Sequence, residues 1–188
     1  MAGNIPGISD SSSSGFNGSF AVKSAGKSAE EGSGEMFQVV EFLLGQEHFA
    51  IDLFDVKEVV EYARITKLPN SPAYIKGIID LRGEITTIID LKHRLAITSS
   101  TRTSDDETRI IVLDDRITNS KIGIMVDDVL TVSTYNAGHV DETATSGDDS
   151  SHILGIIKKK TRDKDKEITE LVIWLDVKAL LQDMGQVR

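Results

Sequence analysis

Apolar residues along this chain come in short runs separated by turn residues, and from Met36 onward that rhythm predicts a succession of β-strands. Phe37 to Leu44 is a run rich in apolar side chains and is closed by Gly45-Gln46-Glu47. Phe49, Ile51 and Leu53 then alternate, so the two segments read as a hairpin. In LFDVKEVVEY, Val56, Val59 and Val60 have a helix-compatible spacing but a β-branched composition, and the segment reads equally as a turn of helix or as a strand. Pro69 and Pro72 bracket a turn. Ile75 to Leu81 and Ile85 to Ile89 form a second hairpin around Arg82-Gly83-Glu84. Asp90 is placed to cap a helix from Leu91 to Ile97, because its carboxylate can accept from N–H groups that the first turn leaves unpaired.

After the polar run Thr98 to Glu107, the segments Arg109 to Leu113, Lys121 to Val126 and Val129 to Thr134 read as three strands joined by Asp-rich turns. A polar loop from Asn136 to Ser151 precedes two more strands, Ile153 to Ile157 and Leu171 to Leu175, which are joined by the charged stretch KKKTRDKDKEITE. Asp176 then caps a last amphipathic helix near 177–184, with Val177, Leu180, Leu181 and Met184 on one face. FAIDLFDVKEV and IGIMVDDVLTV echo one another, each placing an alternating strand before an acid and a second apolar run. The echo is either an internal repeat or the likeness of any two hairpins. Many short strands at this spacing favour two small antiparallel barrels over a parallel α/β sheet.

Composition narrows the picture at the amino terminus. Residues 1–35 are rich in Ser, Gly and Ala and cannot bury enough surface to offset their ordering entropy, so they read as a disordered tail. The tail carries two lysines against four acids, which leaves −7 of the chain's net charge of −9 on residues 36–188. That balance argues against a surface that tracks nucleic-acid phosphates. With no cysteine, the chain has no disulfide, thiolate nucleophile or Cys-type zinc site. No window approaches the roughly 20 apolar residues that span a bilayer, and residues 1–20 do not resemble a secretory signal, so the chain is expected to be soluble and intracellular.

Motifs for catalysis do not assemble. Gly26-Lys27-Ser28 ends like a phosphate-binding loop, but Ala21 stands where that loop needs Gly. His48, His93, His139 and His152 fall in separate segments, and no Asp pair is followed by the Gly and distal Glu of a calcium loop. No catalytic residue, metal site or cofactor is therefore expected. The distinctive stretch is Gly77 to Leu91. A Gly after Arg82 at the hairpin bend suits a positive φ, and the arginine is either a surface contact or half of an internal ion pair.

In order and spacing, these residues resemble the CheW adaptors of chemotaxis, whose hallmark is Asn-Leu-Arg-Gly, a short apolar strand with Pro, then Asp-Leu. Here stand Asp80-Leu81-Arg82-Gly83 and Asp90-Leu91, with Thr87 in place of the Pro. The resemblance runs from Phe37 to Leu181. It takes in Leu44-Gly45, Ile51-Asp52, Val56-Lys57-Glu58-Val59, Pro69, Ser71-Pro72-Ala73-Tyr74-Ile75-Lys76-Gly77 and Gly123-Ile124-Met125-Val126-Asp127. It implies a mainly β domain over 36–188, made of two intertwined five-stranded SH3-like β-barrel subdomains with a few short helices. The implied function is a non-catalytic cytoplasmic scaffold that couples the cytoplasmic tips of chemoreceptors to the histidine kinase CheA within membrane-associated arrays. A related adaptor serving a chemosensory-type pathway other than motility is the alternative.

Mapped by motif, Val56, Glu58, Gly77 and Arg82, with Lys76 beside Gly77, become the expected receptor- or kinase-binding residues. In that mapping apolar side chains near Val56 and Gly77 form the buried centre of an interface, with Glu58 and Arg82 toward its rim. Asp80 is near enough in sequence to pair with Arg82. The connection Lys158 to Glu170 is longer than the family's usual one.

Overall fold

A computed structural model describes residues 35–97, 108–118, 120–142, 152–163 and 166–182. The expected tail, apart from Glu35, lies outside the described residues, as do 98–107 and most of the expected 136–151 loop. The strands are β1 (Met36–Leu44), β2 (Glu47–Asp52), β3 (Val56–Glu61), β4 (Ile75–Leu81), β5 (Glu84–Asp90), β6 (Arg109–Leu113), β7 (Ile122–Val126), β8 (Asp128–Asn136), β9 (Val140–Asp141), β10 (Ile153–Asp163) and β11 (Lys166–Leu175). Two short helices, α1 (Leu91–Arg94) and α2 (Val177–Gln182), follow β5 and β11.

The strands form two sheets. One has the order β8-β1-β2-β11-β10-β9 and the other β3-β6-β7-β5-β4. The chain thus leaves the first sheet after β2, builds all five strands of the second, and returns at β8. The first sheet has six strands where five were expected, because the two-residue β9 pairs with Ile156 and Ile157 of β10.

Leaving β9 aside, the two orders superimpose position by position. β1, β2, β8, β10 and β11 stand where β6, β7, β3, β4 and β5 stand, and the parallel pair β2–β11 matches the parallel pair β7–β5. The echo between FAIDLFDVKEV and IGIMVDDVLTV is therefore a structural repeat. Each segment crosses from one sheet to the other, through the 3-10 turn Leu53–Asp55 in the first case and through Asp127 in the second.

Packing explains why the inner strands read as continuous apolar runs. On β1, Val40, Phe42 and Leu44 face a large core shared by both sheets, while Val39 joins the interior of the first barrel. On β6, Ile111 and Leu113 face the shared core, and Ile110 and Val112 the interior of the second barrel. A strand covered on both faces has no polar side to show, so alternation is lost. α2 adds Val177, Leu180 and Leu181 to the shared core.

One open reading is resolved and two local expectations are corrected. LFDVKEVVEY is a single 3-10 turn followed by strand β3, because every second residue from Val56 turns inward. α1 ends at Arg94 rather than Ile97: Ala96 takes a left-handed φ of 53°, and Ile97 N–H folds back to the Lys92 carbonyl at 2.9 Å. The expected loop after Asn136 opens with a 3-10 turn, Ala137–His139, and then β9. The caps hold as expected. Asp90 accepts from His93 N–H at 3.1 Å and Asp176 from Ala179 N–H at 2.9 Å.

Candidate functional site

The β4–β5 hairpin turns on two residues, Arg82 and Gly83, with φ of 54° and 85°. Positive φ at both positions is the mark of a type I′ turn, whose twist matches that of the flanking strands. Glycine adopts it freely. Arginine pays a steric cost of about 1 kcal/mol for a left-handed backbone. The Asp80 carboxylate steadies the bend by accepting from Gly83 N–H at 2.7 Å. Asp80 is thus spent on the turn and is not the partner of Arg82. An Asn side-chain oxygen accepts the same bond, which accounts for the exchange of Asn for Asp at this position.

Arg82 instead reaches across to β3, where its Nη2 lies 3.1 Å from Glu58 Oε2. The arginine side chain is 78% exposed and the glutamate 24%. Arg82 is therefore ion-paired and at the same time stands on the surface. In the sheet order β3 and β4 are opposite edges, so this pair joins the two ends of the second sheet and closes it as a barrel. Lys57, on β3, and Lys121 reinforce the closure by sharing Glu84 and Asp115, with Lys121 Nζ 2.5 Å from Asp115. The hydrogen bond from Lys121 holds the Asp115 carboxyl below its ordinary range.

The other expected site residues have different surroundings. Gly77 is buried, at a φ of 148°, and a Cβ there would lie 2.3 Å from the Thr66 carbonyl oxygen. The segment at Thr66 bridges to Ile78 through two hydrogen bonds of 2.8 Å, so Gly77 permits a close backbone crossing and is not an exposed contact. Val56 is half-buried against the shared core and is not an exposed contact either. Lys76 is exposed and pairs with Asp90 at 3.5 Å. Thr87, standing where the family pattern has Pro, uses its additional N–H to donate to the Lys121 carbonyl at 2.9 Å.

The exposed apolar side chains on β3 and β5 are others. Val59, 42% exposed, follows Glu58, and Ile85, 59% exposed, follows Glu84. The alternation of β3 carries the signal for Val59, since Lys57, Val59 and Glu61 form the outward set. The structure therefore brings Glu58 and Arg82 together, leaves Val59 and Ile85 exposed on β3 and β5, and packs Val56 against the shared core and Gly77 against the Thr66 backbone. Among the described residues, no group of three or more His, Asp or Glu is arranged to hold a metal ion, and no helix is long and apolar enough to cross a membrane.

Comparison with known proteins agrees with this architecture. The family model of the CheW-like domain matches residues 38–184. The chemotaxis protein CheW of Treponema pallidum is 34% identical over 131 residues, covering 68% of this chain and 76% of the relative. That of Bacillus subtilis is 33% identical over 137 residues, covering 71% and 83%. The crystal structure of the scaffolding protein TtCheW from Thermoanaerobacter tengcongensis superimposes with a TM-score of 0.64 at 32% identity, covering 82% of this chain and 93% of that one. With most of its length matched by the family model and two relatives above 30% identity, this chain belongs to the CheW-like domain family of chemotaxis scaffolds.

Proposed function

We propose that the chain is a non-catalytic adaptor that couples chemoreceptor cytoplasmic tips to the histidine kinase CheA, and that the Glu58–Arg82 corner is one of its coupling surfaces. The observation that carries this reading is Arg82 itself, held at a sterically costly backbone position yet with most of its side chain exposed. A side chain kept in such a place for stability alone gains little, because exposed ion pairs contribute about 0 to 1 kcal/mol. Val59 and Ile85 add exposed apolar area on β3 and β5, and arginine is enriched among the few residues that carry most of an interface's energy. Lys76 extends the charged rim, while Val56 and Gly77 act through the shape of β3 and β4. The chain would act in the cytoplasm, recruited to receptor-bearing membranes.

Co-sedimentation of the protein with receptor-bearing membranes and the host's kinase, read together with kinase activity, tests the proposal. Arg82→Asp should abolish the coupling of kinase activity while leaving the melting temperature nearly unchanged. A large fall in melting temperature would make Arg82 a structural ion pair. Wild-type protein that alters neither sedimentation nor kinase activity would remove the adaptor reading altogether.

A further inference from the structure

The β10–β11 hairpin extends well beyond the rest of its sheet. β9 pairs only with Ile156 and Ile157, and β2 only with Val172, Ile173 and Trp174. From Lys158 and Leu171 outward, the two strands pair with each other alone, down to Asp163 and Lys166. The result is a two-stranded arm with both edges open among the described residues. Its base is fixed to the barrel, because Lys159 Nζ lies 2.7 Å from the fully buried Glu41 carboxylate.

The two edges differ in chemistry. With Lys159 turned inward to Glu41, Lys158, Lys160 and Arg162 make the β10 edge cationic, with no acid from 158 to 162; Lys158 also pairs with Asp141 at 2.8 Å and Lys160 with Glu167 at 3.6 Å, both as exposed pairs. The β11 edge carries Glu167 and Glu170 with no cation from 167 to 171, together with Ile168 at 42% and Leu171 at 57% exposure. Lysines on a single sign of edge protect a strand against pairing with its like. Edges of opposite sign repel their like but leave the unlike edge free to pair, since opposed like charges destabilise a strand pair and opposed unlike charges stabilise it.

We propose that the arm is a self-association site, in which the β10 edge of one copy adds to the β11 edge of a second copy. The partner is committed by charge complementarity: β10 on β10 opposes lysines, β11 on β11 opposes glutamates, and only β10 on β11 matches. Such a contact is heterologous, so it leaves one open edge on each end of a pair and can continue to further copies. Its energy is partly electrostatic between exposed groups, and it weakens as salt rises. This inference goes beyond the coupling role and does not depend on the Glu58–Arg82 corner.

Sedimentation velocity over a range of protein concentrations, at about 0.05 M and about 0.5 M salt, tests it. The wild-type chain should show a concentration-dependent rise in weight-average mass at low salt that is lost at high salt. Lys158→Glu with Lys160→Glu and Arg162→Glu should be monomeric, and so should Glu167→Lys with Glu170→Lys. An equimolar mixture of these two variants should associate again, because each edge of one then meets an unlike edge of the other. A further variant lacking residues 160–169, with Lys159 and Glu170 joined through Asn-Gly, keeps the Lys159–Glu41 anchor and should be monomeric with an unchanged melting temperature. A wild-type chain that stays monomeric at low salt, charge variants that associate as the wild type does, or a mixture that stays monomeric would each overturn the proposal.

Discussion

On β1, Glu41 points into the first barrel, where the Tyr135 hydroxyl donates to it at 2.6 Å and the Lys159 ammonium at 2.7 Å. Burial alone would push this carboxyl up, but hydrogen bonds from Lys159, Ser133 and Tyr135 more than offset it, and the group is held below the ordinary value of 4.5. A depressed carboxylate stabilises the fold fully above its unfolded pKa, and that contribution starts to fall below about pH 4.5 and is gone once the pH has passed below the folded value. Glu41→Gln should therefore cost about 1 to 3 kcal/mol at pH 7, with the gap to wild type narrowing below pH 4.5; urea denaturation at the two pH values measures it. This residue was not legible in the sequence, where a lone Glu in an apolar run carries no mark of its partners 94 and 118 positions away. Arg82 was half legible. The Gly after it announced a turn with positive φ, but a two-residue loop makes the arginine left-handed as well, and its partner Glu58 is a feature of barrel closure.

At the level of elements, hairpins and caps were readable because they are local: Gly45, Gly83, Asp90 and Asp176 each act within a few residues of where they stand. The end of α1 was not readable, since Ala96 adopts the left-handed position that glycine would have announced. Nor was the purpose of the two acids at the crossovers. Asp55, in the first, pairs with Lys178 of α2 at 2.7 Å. Asp127, in the second, pairs with Lys92 of α1 and also accepts from Gly45 N–H at 2.5 Å. Each acid is nearly buried and each fastens the helix of the subdomain beside it to a strand crossing. The two pairs differ in exposure, for the Lys178 side chain is half exposed whereas Lys92 is largely covered. Asp127→Ala should accordingly destabilise by about 2 to 3 kcal/mol, since it strands a covered ammonium and a backbone donor. Asp55→Ala should cost about 1 kcal/mol, and guanidinium denaturation of both variants checks the order.

For the whole molecule, the repeat changes what the chain's connectivity means. One unit runs β4-β5-α1-β6-β7-β8. The other runs β10-β11-α2 and, after the break between α2 and β1, continues β1-β2-β3. Each unit contributes its last strand to the sheet of the other, so β3 and β8 are exchanged. This is why the subdomains intertwine and why their largest core lies between them. In this arrangement the chain's own ends occupy, in one unit, the place that the connection from α1 to β6 occupies in the other. The two breaks should be interchangeable. A circular permutant that begins at Thr108, ends at Ile97 and joins Gln182 to Met36 moves the ends from one equivalent place to the other. The connection between α1 and β6, residues 95–108, already spans the equivalent gap, so a Gly/Ser linker of the same length is long enough. Because no strand pairing or core contact is cut, the permutant should fold cooperatively with the far-UV circular dichroism of the parent chain. Opening the chain instead at Asp127 severs a crossover, makes β8 a terminal strand and frees the backbone that holds Asp127 against Lys92. That second permutant should unfold at a clearly lower denaturant concentration, and equal stability of the two would show that the exchanged strands do not bind the barrels together.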